Sequence, residues 1–158
     1  MSQMVFPRPP CAVGGRTFAL VASRFNAQYV QGLVDHARDE LRAIDSSATI
    51  VLHQAPGAFE IPIIVRELAL RGKVAVILAF GVIIRGDTSH AEHLARSVTD
   101  GLQRIALETG VPVIHGVLSV ENEEQARERC LGDALNRGLE AARAAVAIAD
   151  ALAQVRAS

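Results

Sequence analysis

Tryptophan is absent from this sequence, tyrosine occurs once, and phenylalanine occurs five times. With so few aromatic rings the core of the 158-residue chain has to be built from small and branched aliphatic side chains, and half of the residues are hydrophobic. That composition suits closely packed helices on a sheet, with a subunit interface in addition. The two cysteines, Cys11 and Cys130, have neither metal nor redox spacing, and a chain of this length buries enough surface to fold without disulfides. Neither sign of charge dominates: 16 basic residues oppose 17 acidic ones. No basic stripe is interleaved with aromatics, which excludes the footprint of a nucleic-acid-binding protein. Apolar runs of membrane-spanning length are missing too, and "MSQMVFPRPPCAVGG" holds no apolar core of signal-peptide length. The expectation is a cytoplasmic protein with no membrane and no nucleic-acid partner.

What is present is a repeated alternation. Residues 1–16 hold Pro7, Pro9, Pro10 and the pair Gly14-Gly15, so they read as an extended N-terminal arm. Residues 17–158 read as a single α/β domain. "TFALVAS", residues 17–23, has strand length, and "AQYVQGLVDHARDELRAI", residues 27–44, carries apolar residues at helical spacing. "ATIVLHQ" (48–54) is a second strand, "PG" a turn, and "IPIIVRELALRG" (61–72) a helix with proline in its first turn and glycine at its end. "VAVILAFGVII" (74–84) is apolar throughout, as a strand covered on both faces must be. A helix from His90 to Glu108, a strand "VPVIHGVLSV" (111–120), a short polar helix from Glu123 to Cys130 and an alanine-rich helix from about Asn136 complete the pattern. The expected fold is a three-layer α/β/α sandwich on a four-stranded parallel, flavodoxin-like sheet.

In such sheets ligands bind beyond the carboxyl ends of the strands, which singles out four loops: Arg24 to Asn26, Pro56 to Glu60, Arg85 to His90, and Ser119 to Asn122. The third is the richest. Gly86 permits a tight turn, Ser89-His90-Ala91-Glu92 has capping-box spacing with the serine as cap, and the N–H groups at the helix start favour an anion. Histidine titrates near neutrality when unperturbed, so His90 beside a bound phosphate is placed to move protons. Asp87 argues the other way, because its carboxylate would repel a phosphate. Taken alone the loop reads more readily as an ordinary capped helix after an ordinary turn, and the pair His90 and His93 lacks a third ligand for a metal. Phe25 and Phe59, each just after a strand, fit a core position, and Glu60 the positive end of the next helix; together they fit equally the wall of a pocket for a flat, polar ligand. In "ENEEQARERCLG", Asn122 caps a charged helix with Gln125 answering it.

"SRFN", "PGAFEIP", "GVIIRGDTSH", "LETGVPVIHGVL", "EEQARER" and "NRGLEAA" follow one another, between Phe18 and Leu152, in the order and spacing of the lumazine synthases of riboflavin biosynthesis. The chain resembles that family. The resemblance implies condensation of 5-amino-6-(ribitylamino)uracil with 3,4-dihydroxy-2-butanone 4-phosphate to 6,7-dimethyl-8-ribityllumazine, phosphate and water, with no cofactor and no metal. It implies His90 as the proton shuttle, and Gly86, Asp87, Thr88 and Arg129 as the phosphate site. Phe25 would stack on the pyrimidine, Ile83 and its neighbours would offer main-chain hydrogen bonds, and Ala58, Phe59 and Glu60 would hold the ribityl chain. His115, Arg129 and Arg137 would come from an adjacent subunit of a homopentamer, or of a decamer or icosahedral shell of pentamers. Three residues depart from the family pattern: Asp87 replaces a small or uncharged residue, His115 a phenylalanine, and Arg137 a lysine. The alternative expectation is a non-catalytic paralogue that keeps the assembly and binds a flavin or lumazine.

Overall fold

The computed structural model describes residues 5–158. Among them, four strands and five α-helices alternate: β1 (Thr17–Ser23), α1 (Ala27–Ile44), β2 (Thr49–Ala55), α2 (Ile61–Arg71), β3 (Val76–Ile84), α3 (His90–Thr109), β4 (Val113–Val120), α4 (Glu123–Cys130) and α5 (Arg137–Ala157). The strands form one parallel sheet in the order β2-β1-β3-β4. Because successive side chains on a strand point to opposite faces, β1 feeds two cores. Phe18, Leu20 and Ala22 pack with α1, α4 and α5, while Ala19 and Val21 pack with α2 and α3. The expected α/β/α sandwich is the observed one.

Several boundaries differ from the sequence reading. β4 starts at Val113 instead of Val111, since Pro112 has no N–H to give a ladder and contributes only its carbonyl, which accepts from Ile77 N–H. β3 starts at Val76 instead of Val74, where the ladder with β1 begins opposite Phe18. β2 runs one residue later than expected, from Thr49 to Ala55, in register with β1 from Thr17 onward. The "PG" turn continues into a single 3₁₀ turn over Ala58–Glu60 before α2. Glycine ends two helices in the left-handed conformation, Gly72 after α2 (φ 67°) and Gly110 after α3 (φ 75°).

Helices α1 and α5 meet at Gly138, where any Cβ would collide with the Leu33 carbonyl oxygen. The same side of the molecule carries an ion network around the buried Glu40. Glu40 of α1 accepts from Arg8 Nε (2.9 Å) and Nη2 (2.8 Å) and from Arg143 Nε of α5 (2.7 Å), and Arg143 Nη1 donates to the Phe6 carbonyl (2.6 Å). The Arg8 guanidinium, aided by Arg143, holds the Glu40 carboxyl below the usual carboxylate range against the opposing effect of burial. Of the expected arm over residues 1–16, residues 1–4 lie outside the described residues. The stretch from 5 to 16 contains no helix or strand and is tied at Phe6 and Arg8 to α1 and α5. No helix among the described residues is long and apolar enough to cross a membrane.

Candidate active site

A cavity of about 510 Å³ opens at the carboxyl end of the sheet. Val82, Ile83 and Ile84, the last residues of β3, form its floor. Phe25 and Asn26 after β1, residues 57–60 after β2, and Gly86, Thr88, His90, Ala91 and Leu94 at the start of α3 form its walls. Three of the four loops singled out from the sequence therefore converge, as a parallel sheet with short loops requires. The fourth, Ser119 to Asn122, is absent from this wall. It follows the edge strand β4 and is closed on itself, with Glu121 N–H donating to Gln125 Oε1 and Gln125 N–H to Asn122 Oδ1, both at 2.9 Å.

Phe25 and Phe59 are 71% and 67% exposed, so neither is a lid on the core. Two exposed rings at the mouth of one cavity leave apolar surface that a flat ligand would cover. Glu60, half-buried, and Ala58, buried, lie beside Phe59 on the same wall.

The start of α3 is built differently from its sequence signature. His90 is its first residue, as expected, but Ser89 sits at φ −74°, ψ 3° and its side chain makes no cap bond. Instead, His90 N–H approaches Thr88 Oγ1 at 3.3 Å. Glu92 does not answer a cap either; its carboxylate lies 3.9 Å from Arg96 on the helix surface. A helix start without a side-chain cap keeps N–H donors and the positive end of its dipole available to an anion. Asp87 is exposed and off the cavity wall. Arg85 reaches Glu121 at 3.4 Å, an exposed contact of little energetic weight.

A family model for 6,7-dimethyl-8-ribityllumazine synthase matches residues 15–153. A Chlorobium phaeobacteroides protein named 6,7-dimethyl-8-ribityllumazine synthase is 47% identical over 131 residues, which span 81% of this chain and 83% of that one. A Pelodictyon phaeoclathratiforme protein of the same name is 43% identical over 139 residues, spanning 87% of this chain and 90% of its own. The chain belongs to the 6,7-dimethyl-8-ribityllumazine synthase family.

Of the site residues that the family resemblance implies, Phe25, Ala58, Phe59, Glu60, Ile83, Gly86, Thr88 and His90 line the cavity of this one chain, while Asp87, His115, Arg129 and Arg137 do not. Arg129 lies on α4 with Nη1 3.4 Å from the Gln125 carbonyl. Arg137 is the first residue of α5 and pairs with Glu140 one turn on. His115, on β4 opposite Ala79, is exposed, with Nε2 2.8 Å from Thr99 Oγ1. The Thr99 hydroxyl donates to the Ala95 carbonyl (2.7 Å), so it accepts from His115. This network assigns the proton to Nε2 and leaves Nδ1 as an acceptor.

Among the wall residues, sequence reasoning gave no site role to Ser23, Ala91 or Leu94, and none to Asn26 beyond its place in one of the singled-out loops. Asn26 carried a usable signal, since asparagine is enriched wherever a non-glycine residue takes positive φ, and here it has φ 58°, ψ 44°. Cys130 is no nucleophile. Burial pushes its thiol up to about 11, and it sits in the core of the opposite face. Among the described residues, no three His, Cys, Asp or Glu side chains gather as a metal site would need.

Proposed function

We propose that the protein is a 6,7-dimethyl-8-ribityllumazine synthase, a transferase of riboflavin biosynthesis that joins 5-amino-6-(ribitylamino)uracil to 3,4-dihydroxy-2-butanone 4-phosphate. Membership of the family supports it. The observation that carries it is the cavity wall, where an exposed ring faces ligand space and an uncapped, glycine-led helix start stands beside a histidine.

The reaction needs proton traffic more than a strong nucleophile. The 5-amino nitrogen attacks the butanone carbonyl and water leaves to give an imine. Phosphate is then expelled, and the ribitylamino nitrogen closes the ring with loss of a second water, with no net oxidation. Holding two reactants together supplies much of the acceleration. Phe25 stacks on the pyrimidine, the main chain at Ile83 bonds its edge, and Ala58, Phe59 and Glu60 hold the ribityl chain. His90 takes and returns protons at the reacting nitrogens and oxygens. Gly86, Asp87 and Thr88 offer main-chain N–H groups to the phosphate, and a guanidinium from Arg129 stabilises its leaving charge.

Arg129, Arg137 and His115 act, in this reading, from an adjacent chain of a homopentamer or a larger assembly of pentamers in the cytoplasm. Their position off the chain's own cavity supports this.

The test is to mix purified protein with both substrates and follow lumazine fluorescence against a control without protein. Acceleration is expected; none from a folded protein overturns the reading. Arg129→Ala should raise KM for the butanone phosphate by about tenfold to a hundredfold, the worth of a charge-assisted contact, and an unchanged KM removes Arg129 from the phosphate site. Co-expressed Phe25→Ala and Arg129→Ala chains should show more activity at subsaturating substrate than either variant alone, because shared sites then include some with both residues intact. No recovery would place each site within one chain.

A further inference from the structure

Phe25 is the ring assigned to the pyrimidine, yet it is 71% exposed and has little of its own packing to hold it. Its place is fixed through the backbone. Arg24 N–H continues the sheet to the Ala55 carbonyl of β2 (2.8 Å). The buried Ser23 hydroxyl points at the Phe25 carbonyl (3.4 Å). Asn26 Nδ2 donates to the Val82 carbonyl of β3 at 2.7 Å, across 56 positions of sequence.

That last bond is not what an asparagine before a helix usually makes. At Asn122 and Asn136 the side-chain oxygen caps the helix that follows. Asn26 precedes α1 in the same way but makes no cap bond, sits in the left-handed region at φ 58° and turns its amide to the cavity floor. Left-handed backbone at a residue other than glycine persists only where neighbours over-determine it, and it concentrates at functional sites. The β1–β3 ladder ends at Ala22 opposite Phe80, and the Asn26 amide takes a β3 carbonyl two residues beyond that end.

We propose that Asn26 is a positioning residue: its bond to Val82 and its left-handed backbone hold the exposed Phe25 ring over the cavity floor. The inference rests on the reading of Phe25 as the stacking ring. Asn26→Gly is the sharpest variant, because it keeps access to positive φ and deletes only the amide. Asn26→Asp keeps shape and the left-handed tolerance but sets a carboxylate against a carbonyl oxygen, and it serves if the glycine variant fails to fold.

The experiment uses the whole chain and two readouts. KM for the aminouracil should rise about threefold to tenfold in Asn26→Gly, the fold-change of one lost hydrogen bond, with KM for the butanone phosphate unchanged. In a Phe25→Ala background the same change should add almost nothing, since residues acting as a unit are non-additive. Independently of substrate, Phe25→Trp introduces a lone indole into a chain with no tryptophan, and its fluorescence anisotropy should fall when Asn26→Gly is added. Unchanged anisotropy, or a full KM penalty in the Phe25→Ala background, overturns the positioning role. A falling anisotropy with an unaltered aminouracil KM in Phe25→Ala upholds the positioning and overturns the stacking reading instead.

Discussion

Asn122 and Asn136 close the starts of α4 and α5 with their side-chain oxygens, whereas Asn26 and Ser89, before α1 and α3, make no side-chain cap bond. The two closed starts lie off the cavity wall, whereas Asn26 and the residues on either side of Ser89, Thr88 and His90, lie on it. The start of α2, at Glu60, is also on the wall and also without a side-chain cap. Helix ends that serve only the fold satisfy their donors within the chain. Those around the cavity forgo that stabilisation, so that N–H groups and dipole ends stay open at its wall.

The comparison breaks most easily at Asn136. Its side chain is buried and fully engaged: Oδ1 accepts from Gly138 N–H (2.8 Å) and Leu139 N–H (3.1 Å), and Nδ2 donates to the Cys130 (2.9 Å) and Gly132 (3.0 Å) carbonyls. Truncation removes a cap and strands buried polar groups, so Asn136→Ala should cost about 3 kcal/mol or more of stability. Urea denaturation measures it. A loss below about 1 kcal/mol would mean that closure of α5 is not what the fold depends on.

Acid should separate the same two regions. The carboxylates held below their usual range, Glu40 by Arg8 and Asp45 by the Ser47 hydroxyl, belong to α1 and its C-cap, away from the cavity. A depressed folded-state pKa contributes stability above the unfolded value and loses it as pH falls through the folded one. Melting temperature should therefore drop as pH is lowered through and below the ordinary carboxylate range. Glu40→Gln should start lower at neutral pH and fall less steeply. Equal slopes in the two proteins would remove Glu40 as a source of the acid sensitivity.

The same contrast explains what the sequence made legible. Helix ends were readable where the signal is local and sufficient. The expected spans for α1 and α4 match the observed ones, and Gly72 and Gly110 end α2 and α3 by a conformation few other residues adopt. That three of the four singled-out loops meet at one cavity was readable, because a parallel sheet with short connections brings together the loops that follow its strands. What a cap residue does was readable at Asn122, expected as a cap and observed as one, but not at Ser89 or Asn26. Ser89 has capping-box spacing and Asn26 a cap's place, yet tertiary surroundings decide whether a side chain turns back to its own helix or, as at Asn26, to a carbonyl on another strand. Arg129, Arg137 and His115, on α4, at the start of α5 and on β4, lie off this chain's cavity, and no local pattern in the sequence signals that placement.

Asn122 offers a graded version of the first test. Its single cap bond, to Gln125 N–H at 2.9 Å, is exposed, so water can replace it, and Asn122→Ala should cost only about 1 kcal/mol. A loss as large as that at Asn136 would show that burial is not what separates the two caps.

The smallest stability effect belongs to Ser89, and it is the most telling. Because its hydroxyl makes no cap bond, Ser89→Ala should change stability by no more than about 0.5 kcal/mol, whereas a working cap would cost about twice that or more. Ser89→Asp then separates what the fold wants from what the ligand wants. A carboxylate at the start of α3 is favoured by the helix dipole by about 0.3 to 1 kcal/mol, so this variant should be slightly more stable. The same charge would occupy the field reserved for phosphate, so KM for the butanone phosphate should rise while KM for the aminouracil stays put. Greater stability together with unchanged phosphate affinity would show that the open start of α3 is not where the anion binds, and the contrast between open and closed helix starts would lose its functional meaning.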